Sequence, residues 1–522
     1  MASAYHYLAR LVYRKLEPHT KDLAGRIPSP PELSAPRQSL GLLDLQEDII
    51  LEIFFGLDVP SILALRRTNT ILYAWSKLAY VWSTALRNFT DLHPHLVPRL
   101  EQPLCTNRSF KLEKIVINLV KLEKNWTSDV PKPIRVRDVP NSGRNVLLPG
   151  GRWLLSSTHQ EELLKVLYYD LDAPNLTPQA LIQTTLSSIQ HSLIVASPDI
   201  PHTLSTVSYD LVISYFHIDA FKYTVWRISL GDTGGELFAT QISSFASQIE
   251  MHRSISAREG MVAQITKHSP STIHVFQWSK CTDFARCKAM IYIDEVIAQY
   301  PLIQLLPYQR ILVIDISGAA IYDIPESLHI TAGSEPPVGP IHTPCWSIRY
   351  LVPVGFDDYF AASPAFRGTS YLFIYNGSRV YCLRVPTNGC ADFFVTSTLS
   401  RAPTTHRCIV FGENRAVLWN NHSEPPINIS CISYNTRHSP TGASDDAEIA
   451  DGPQSDALRS SEWLEKSFKF KGRLSETVAA FDDQSGRVVM RGIRPKSLNQ
   501  RLESATSQPN KQNWVSLIMY FA

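Results

Sequence analysis

The hydrophobic period of this chain changes once, and that change sets what it can fold into. Between residues 42 and 86 large apolar side chains recur every three to four positions, as on the face of a helix. From about Val146 they come in short runs rich in β-branched and aromatic residues, separated by glycine, proline and small polar residues. A length of 522 residues exceeds one ordinary domain. Proline outnumbers glycine, 35 to 23, and aromatics reach 10%, which suits many short strands and turns. The expectation is a mixed, mainly β chain: an N-terminal extension over 1–41, a helical module over 42–90, a transition over 91–139 and a large all-β region over 140–522.

The helical stretch reads LLDLQEDIILEIFFGLDVPSILALRRTNTILYAWSKLAYVWSTAL. Asp44 followed by Glu47 has the spacing of a capping box. Leu45, Ile49, Ile50, Ile53, Phe54 and Leu57 then fall on one helical face that closes near Gly56. Pro60 and Ser61 mark a second start, with Ile62, Leu63 and Leu65 as its apolar stripe. A third helix is expected through Ile71, Trp75, Leu78 and Trp82. Each such side chain contributes roughly 1.5–3 kcal/mol when fully buried, so a core of about a dozen of them is marginal for an isolated unit. Helix one is apolar over more than a narrow stripe. That suits packing on two sides, inward on the module and outward on a partner.

These residues resemble the F-box, the adaptor-binding module of SCF ubiquitin ligases. Leu45 takes the opening leucine of the family pattern, Asp48 the acidic position, and Ile49 and Ile50 the aliphatic pair. Ile53, Phe54 and Leu57 follow without a gap, then Ile62-Leu63, Leu65-Arg66 and the closing Val81-Trp82. Gln46 stands where the family usually has proline, Thr68-Asn69-Thr70 replaces Val-Cys-Lys, and Leu72 occupies a position where tryptophan is common. The resemblance implies that Leu45, Gln46, Asp48, Ile49, Ile50, Ile53, Phe54, Leu57, Leu63, Leu65 and Trp82 bind the small Skp adaptor and, through it, a cullin. It implies no catalytic residue and no cofactor in this chain, and a location in the cytoplasm, the nucleus or both.

Phe110–Lys124 has a central apolar run compatible with either a helix or a strand. Beyond it, Leu147–Ser156 reads as strand, tight glycine turn, strand, and Lys165–Asp170 as a partner. Similar short strands recur around Tyr169, Trp226, Trp278, Tyr322, Tyr381 and Trp419, at steps of 38 to 59 residues. A mean step near 50 is what one four-stranded propeller blade needs. The expected architecture is therefore a degenerate β-propeller of six to eight blades, a combination similar to that of fungal F-box proteins with divergent propeller-like receptors. It would hold an unknown substrate protein. Ala479–Val489 reads as a further strand, turn and strand, and 438–461 as a polar, acidic loop low in large apolar residues.

Other functions find little footing. The net charge of +2 gives no electrostatic case for nucleic acid. The clustered Arg487, Arg491, Arg494, Lys496 and Arg501 read as a solvated face. The eight cysteines form no C-x-x-C pair, and no histidines stand at zinc-ligand spacing. Apolar runs are interrupted by charges too often to span a membrane, and the N-terminus lacks a secretory pattern. Nucleophile-elbow, zinc-protease, phosphate-loop and dinucleotide motifs are absent from the sequence. Asp482-Asp483-Gln484-Ser485-Gly486 reads as a hairpin turn rather than an aspartate box. Two alternatives remain open: an F-box scaffold acting outside a ligase, and a propeller-fold hydrolase.

Overall fold

In a computed structural model the residues described are 42–93, 98, 100, 107–128 and, between 133 and 521, the strands with many of their turns. The N-terminal extension, the 438–461 segment, Arg494, Lys496 and Arg501 lie outside the described residues. The chain divides into two units, one of residues 1–97 with 103–121 and the other of 98–102 with 122–522.

The first unit is helical: α1 (Glu47–Phe55), α2 (Val59–Leu65), α3 (Thr70–Trp75), α4 (Ala79–Leu92) and the larger part of α5 (Ser109–Thr127). Helix α2 starts where Asp58 accepts the Ser61 amide at 2.9 Å, and α3 where Asn69 accepts the Ile71 amide at 2.7 Å. The capping box expected at Asp44 and Glu47 does not form. Asp44 ends a separate 3₁₀ turn, and Gln46 takes the N-cap position of α1 in extended conformation without a side-chain bond.

The single third helix expected through Trp82 is also divided. Ser76 is fully buried at the break, its hydroxyl donates to the Tyr73 carbonyl at 2.7 Å, and its own carbonyl accepts the Trp82 indole at 2.7 Å. That capture turns the chain between α3 and α4. The face that packs inward is then Leu72, Val81, Trp82, Ala85 and Leu86, while Ile71 and Leu78 lie outside it. Phe110–Lys124, undecided between helix and strand, is helical. Leu112, Val116, Leu119, Leu122 and Trp126 are its buried side chains, at +4, +7, +10 and +14 from the first.

The second unit is mainly β, built of several small antiparallel sheets. Seven occur among the described residues. Sheet I combines Arg135–Val139, Trp514–Tyr520, Arg487–Ile493, Ala480–Asp482 and Arg473–Leu474, so a strand from the start of the unit pairs with one from its end. Sheet II is Arg144–Leu147, Trp153–Gln160, Leu163–Asp170 and Gln179–Thr185. Sheet III is His191–Ala196, Ser208–His217, Ala220–Leu230 and Leu237–Ser247. Sheet IV runs from His252–Arg258 through Met261–Thr266, Ser271–Gln277 and Arg286–Ile293 to His329–Thr331. Sheet V is Leu302–Leu306, Arg310–Ile314, Gly318–Asp323 and Trp346–Arg349. Sheets VI (from Phe360 to Thr398) and VII (from Arg407 to Phe470) each pair four strands in chain order.

Apolar clusters join successive sheets rather than filling one centre. One links I to II through Val489, Ile518, Leu154 and Tyr169. Another links II to III through Leu155, Val166, Leu211 and Ile228. Val225 and Phe245 meet Val262 and Phe276 between III and IV, and Ile273 and Ile291 meet Leu305 and Ile311 between IV and V. The first strands of II, III, IV and V also lie against one another in order. Between IV and V the approach is closest: Ser254 and Ser256 hydroxyls accept the amides of Ile303 and Leu305 at 3.1 and 2.9 Å.

Two arginines tie sheet I to sheet II. Arg137 donates to the carbonyls of Leu171, Ala173 and Pro174, and Arg487 pairs with Asp172 and lies over the Tyr520 ring. The sequence pattern places Arg487 on a solvated face, and the structure does not. Its side chain is only 12% exposed because these partners enclose it. At the end of the same sheet, Phe521 is fully buried, stacked on Trp126 at 5.2 Å, with its carbonyl accepting the Asn125 amide and its N–H donating to Gly486.

Candidate partner-binding site

The helical unit builds its surface from a core that is already complete. Ile50, Ile53 and Phe54 of α1 are buried with Leu57, Val59, Ile62, Leu72, Val81, Trp82, Ala85 and Leu86. Of the eleven residues expected to bind an adaptor, Ile50, Ile53, Phe54, Leu57 and Trp82 therefore sit inside the module and shape it from within. Gln46 and Asp48 are exposed, and Leu45, Ile49, Leu63 and Leu65 are half-buried. Ile49, Leu51 and Phe55 keep part of their surface open, so α1 is apolar on a second side.

Among the described residues the exposed apolar side chains are concentrated here. Seven of the twelve exposed large hydrophobic side chains among the described residues belong to this unit: Leu43, Ile71, Tyr73, Leu78, Tyr80, Leu92 and Phe110. Single exposed apolar residues are ordinary, but seven of them on a small module make it a candidate for contact with a partner. For two of them, Ile71 and Leu78, helix periodicity alone gives a different place. Ile71 and Leu78 share a stripe with Trp82 only if α3 and α4 are one helix, and the Ser76 turn takes them out of it.

Two of the exposed tyrosines are held in place. Tyr80 and Phe55 meet edge to face with centroids 4.7 Å apart and ring planes at 87°, and Asn88 donates to the Phe55 carbonyl at 2.9 Å. Tyr73 lies beside two cations, with the Lys77 ammonium 5.3 Å and the Arg66 guanidinium 6.0 Å from its ring. Arg66 in turn stands 5.5 Å from the Trp82 ring and donates twice to Glu113 of α5, at 2.6 and 2.8 Å. The second carboxylate oxygen of Glu113 accepts Lys77 at 2.9 Å. One carboxylate thus fixes both cations, and through them the aromatic they face. Side chains with few rotatable bonds, already oriented before contact, lose little entropy on binding.

The described residues of the β unit present no comparable exposed cluster. Among the described residues no group of three metal-ligating side chains occurs, and no helix is long and apolar enough to cross a membrane. Its perturbed groups are tyrosines, Arg227, which Asp210 holds in its charged form, and the Cys345 thiol, which burial pushes up. Burial pushes the phenols of Tyr223, Tyr169 and Tyr215 above their ordinary range, and Tyr223 donates within the fold to Gln264, which donates to Ser247 at 2.9 Å. This chain of bonds satisfies polar groups between sheets III and IV.

No family model and no curated protein matches the chain. Solved structures that align with it include the WD40 domain of SCAP from fission yeast, at 10% identity and a TM-score of 0.36, covering 74% of this chain and 86% of that one. A putative 6-phosphogluconolactonase from Bacteroides uniformis aligns at 10% identity and a TM-score of 0.34, covering 65% and 88%. Prolyl oligopeptidase B from Galerina marginata aligns at 7% identity and 0.37, covering 82% and 52%. At these scores none of them bears on what this chain does.

Proposed function

We propose that this chain is the substrate-recruiting subunit of an SCF-type ubiquitin ligase. Its helical module docks on the small Skp adaptor, and its β unit, a seven-bladed propeller on this reading, holds the protein to be modified. The observation that carries the adaptor half is the exposed Ile71, Tyr73, Leu78 and Tyr80 on helices whose buried residues follow the F-box pattern from Leu45 to Trp82. A module with its core complete and its outer face apolar gains by burying that face on a partner. The propeller half is supported by seven small sheets, by clusters linking each sheet to the next from I to V, and by pairing of the unit's first and last strands.

On this reading no residue of the chain performs covalent chemistry. The substrate lysine meets a ubiquitin thioester held by other subunits, and rate comes from effective concentration. The test is reconstitution with the Skp adaptor, a cullin and a RING subunit. The chain is expected to co-purify with cullin only when the adaptor is present. A chain that binds the adaptor but never enters a cullin complex is a scaffold outside a ligase, and the proposal then fails.

A further inference from the structure

The outer strands differ in how they guard their free edges. An open edge presents unpaired N–H and C=O groups that template another strand, and charges, proline or bulges normally blunt it. The outer strand of sheet I, Arg135–Val139, carries three charged residues, and that of sheet VII, Leu464–Phe470, also carries three. Those of V and VI carry Arg349 and Asp392. The outer strand of sheet III, Leu237–Ser247 (LFATQISSFAS), runs 11 residues without a charge, proline or glycine. Among the described residues only Ala220–Leu230 pairs with it.

That strand has a bulge, and the bulge delimits the usable edge. Trp226 opposes Gln241 and Val225 opposes Ser243, so Ile242 is the extra residue. Leu237–Gln241 before it keeps an unbroken register. Sheet II also has a charge-free outer strand, Gln179–Thr185, but its bulge at Leu181 leaves runs of only two and four residues. Within Leu237–Gln241, Phe238 and Thr240 are exposed neighbours on one face with Ala239 between them. The Phe238 ring is seated against Gly231, where an added Cβ would come within 2.6 Å of it. In this pose the exposed ring rests on the Gly231 backbone.

We propose that Leu237–Gln241 pairs antiparallel with the same stretch of a second copy of this chain, about a two-fold axis at Ala239. That register places Phe238 opposite Thr240 twice, an aromatic against a β-branched side chain, which is a favourable cross-strand pair. Leu237 falls opposite Gln241. Glu236, the nearest carboxylate, falls opposite Ile242 and not opposite its own copy, so no like charges meet. The patch is self-complementary, as a two-fold contact requires. A five-residue strand pair falls short of the ~1,200 Å² that stable interfaces bury, so the dimer is weak and reversible.

Sedimentation velocity on the full chain tests this. Mass is expected to move from monomer toward dimer as concentration rises to about 100 µM. Thr240→Lys, at an exposed position, is expected to weaken association by at least about tenfold with unchanged melting. Phe238→Glu alone does the same, and the double variant Phe238→Glu/Thr240→Lys restores association, because the two new charges oppose each other across the axis. A chain that stays monomeric throughout overturns the proposal. So does a dimer that Thr240→Lys leaves intact, or a double variant that fails to reassociate.

Discussion

Replacing Glu113 by alanine asks whether one carboxylate organises the helical module. Arg66 and Glu113 expose only 11% and 13% of their side chains, and Lys77 exposes 39%. Glu113→Ala leaves the Arg66 guanidinium enclosed between Trp82 and Tyr73 without its acceptor. Breaking a buried pair from one side costs about 3–5 kcal/mol. Here the exposed Lys77 turns to water at little cost and Arg66 retains its ring contacts, so about 2–4 kcal/mol is the expected loss. Hydrogen exchange on the full chain reads it directly. Amides of α3, α4 and the first turns of α5 should exchange with opening energies lowered by that amount, while amides of sheets II to V should not change. The double variant with Arg66→Met should recover at least about 1 kcal/mol, because it removes the stranded charge. A Glu113→Ala effect below about 0.5 kcal/mol in those helices would refute the reasoning.

Other parts of the structure respond to simpler changes. Phe521→Ala removes the ring stacked on Trp126 and is expected to destabilise the β unit by about 3–5 kcal/mol, read by urea unfolding; an unchanged midpoint excludes a role for the stack. Tyr308 and Gln309 turn between two strands of sheet V with φ of 62° and 54°, so Tyr308→Gly should raise stability by about 1 kcal/mol in the same assay. Tyr223 is fully buried and its folded-state pKa lies above the unfolded value near 10. The neutral phenol is the form the fold holds, so its contribution is intact below pH 10 and falls as pH rises further, by about 1.4 kcal/mol per pH unit. Tyr223→Phe should flatten that part of the alkaline decline, and an equally steep decline in the variant would rule out Tyr223 as its source.

Much of the β architecture was legible because one strand position repeats. Tyr169, Trp226, Tyr322 and Tyr381 lie in the third strands of sheets II, III, V and VI, and Trp278 directly follows the third strand of IV. Those strands are flanked on both sides in the sheet, and each carries or adjoins a large aromatic. Trp419 belongs instead to the second strand of sheet VII, which accounts for the short final step of 38 residues. The outer strands left no such trace. Their bulges at Leu181, Ile242 and Thr396 break the alternation that marks a strand.

In the helical unit, cores were easier to read than surfaces. The α1 stripe located Ile50, Ile53 and Phe54 because burial follows the 3.6-residue period. The break after α3 was not legible, since it depends on Trp82 capturing the Ser76 carbonyl six residues back, and hydrophobic spacing contains nothing about that bond. Spacing alone therefore places the exposed Ile71 and Leu78 on the same stripe as Trp82. Helix α5 stayed ambiguous because Ile115, Ile117 and Val120 fill positions between its buried residues and mask their period.

The central claim is that the outer face of the helical module binds the Skp adaptor. Co-expression of the full chain with that adaptor, followed by size-exclusion chromatography, tests it most directly, with Ile71→Glu and Leu78→Glu as variants at exposed positions. The account predicts a stoichiometric complex that both variants lose while their melting temperatures stay unchanged. A folded chain that elutes alone, or a complex indifferent to both substitutions, would contradict it.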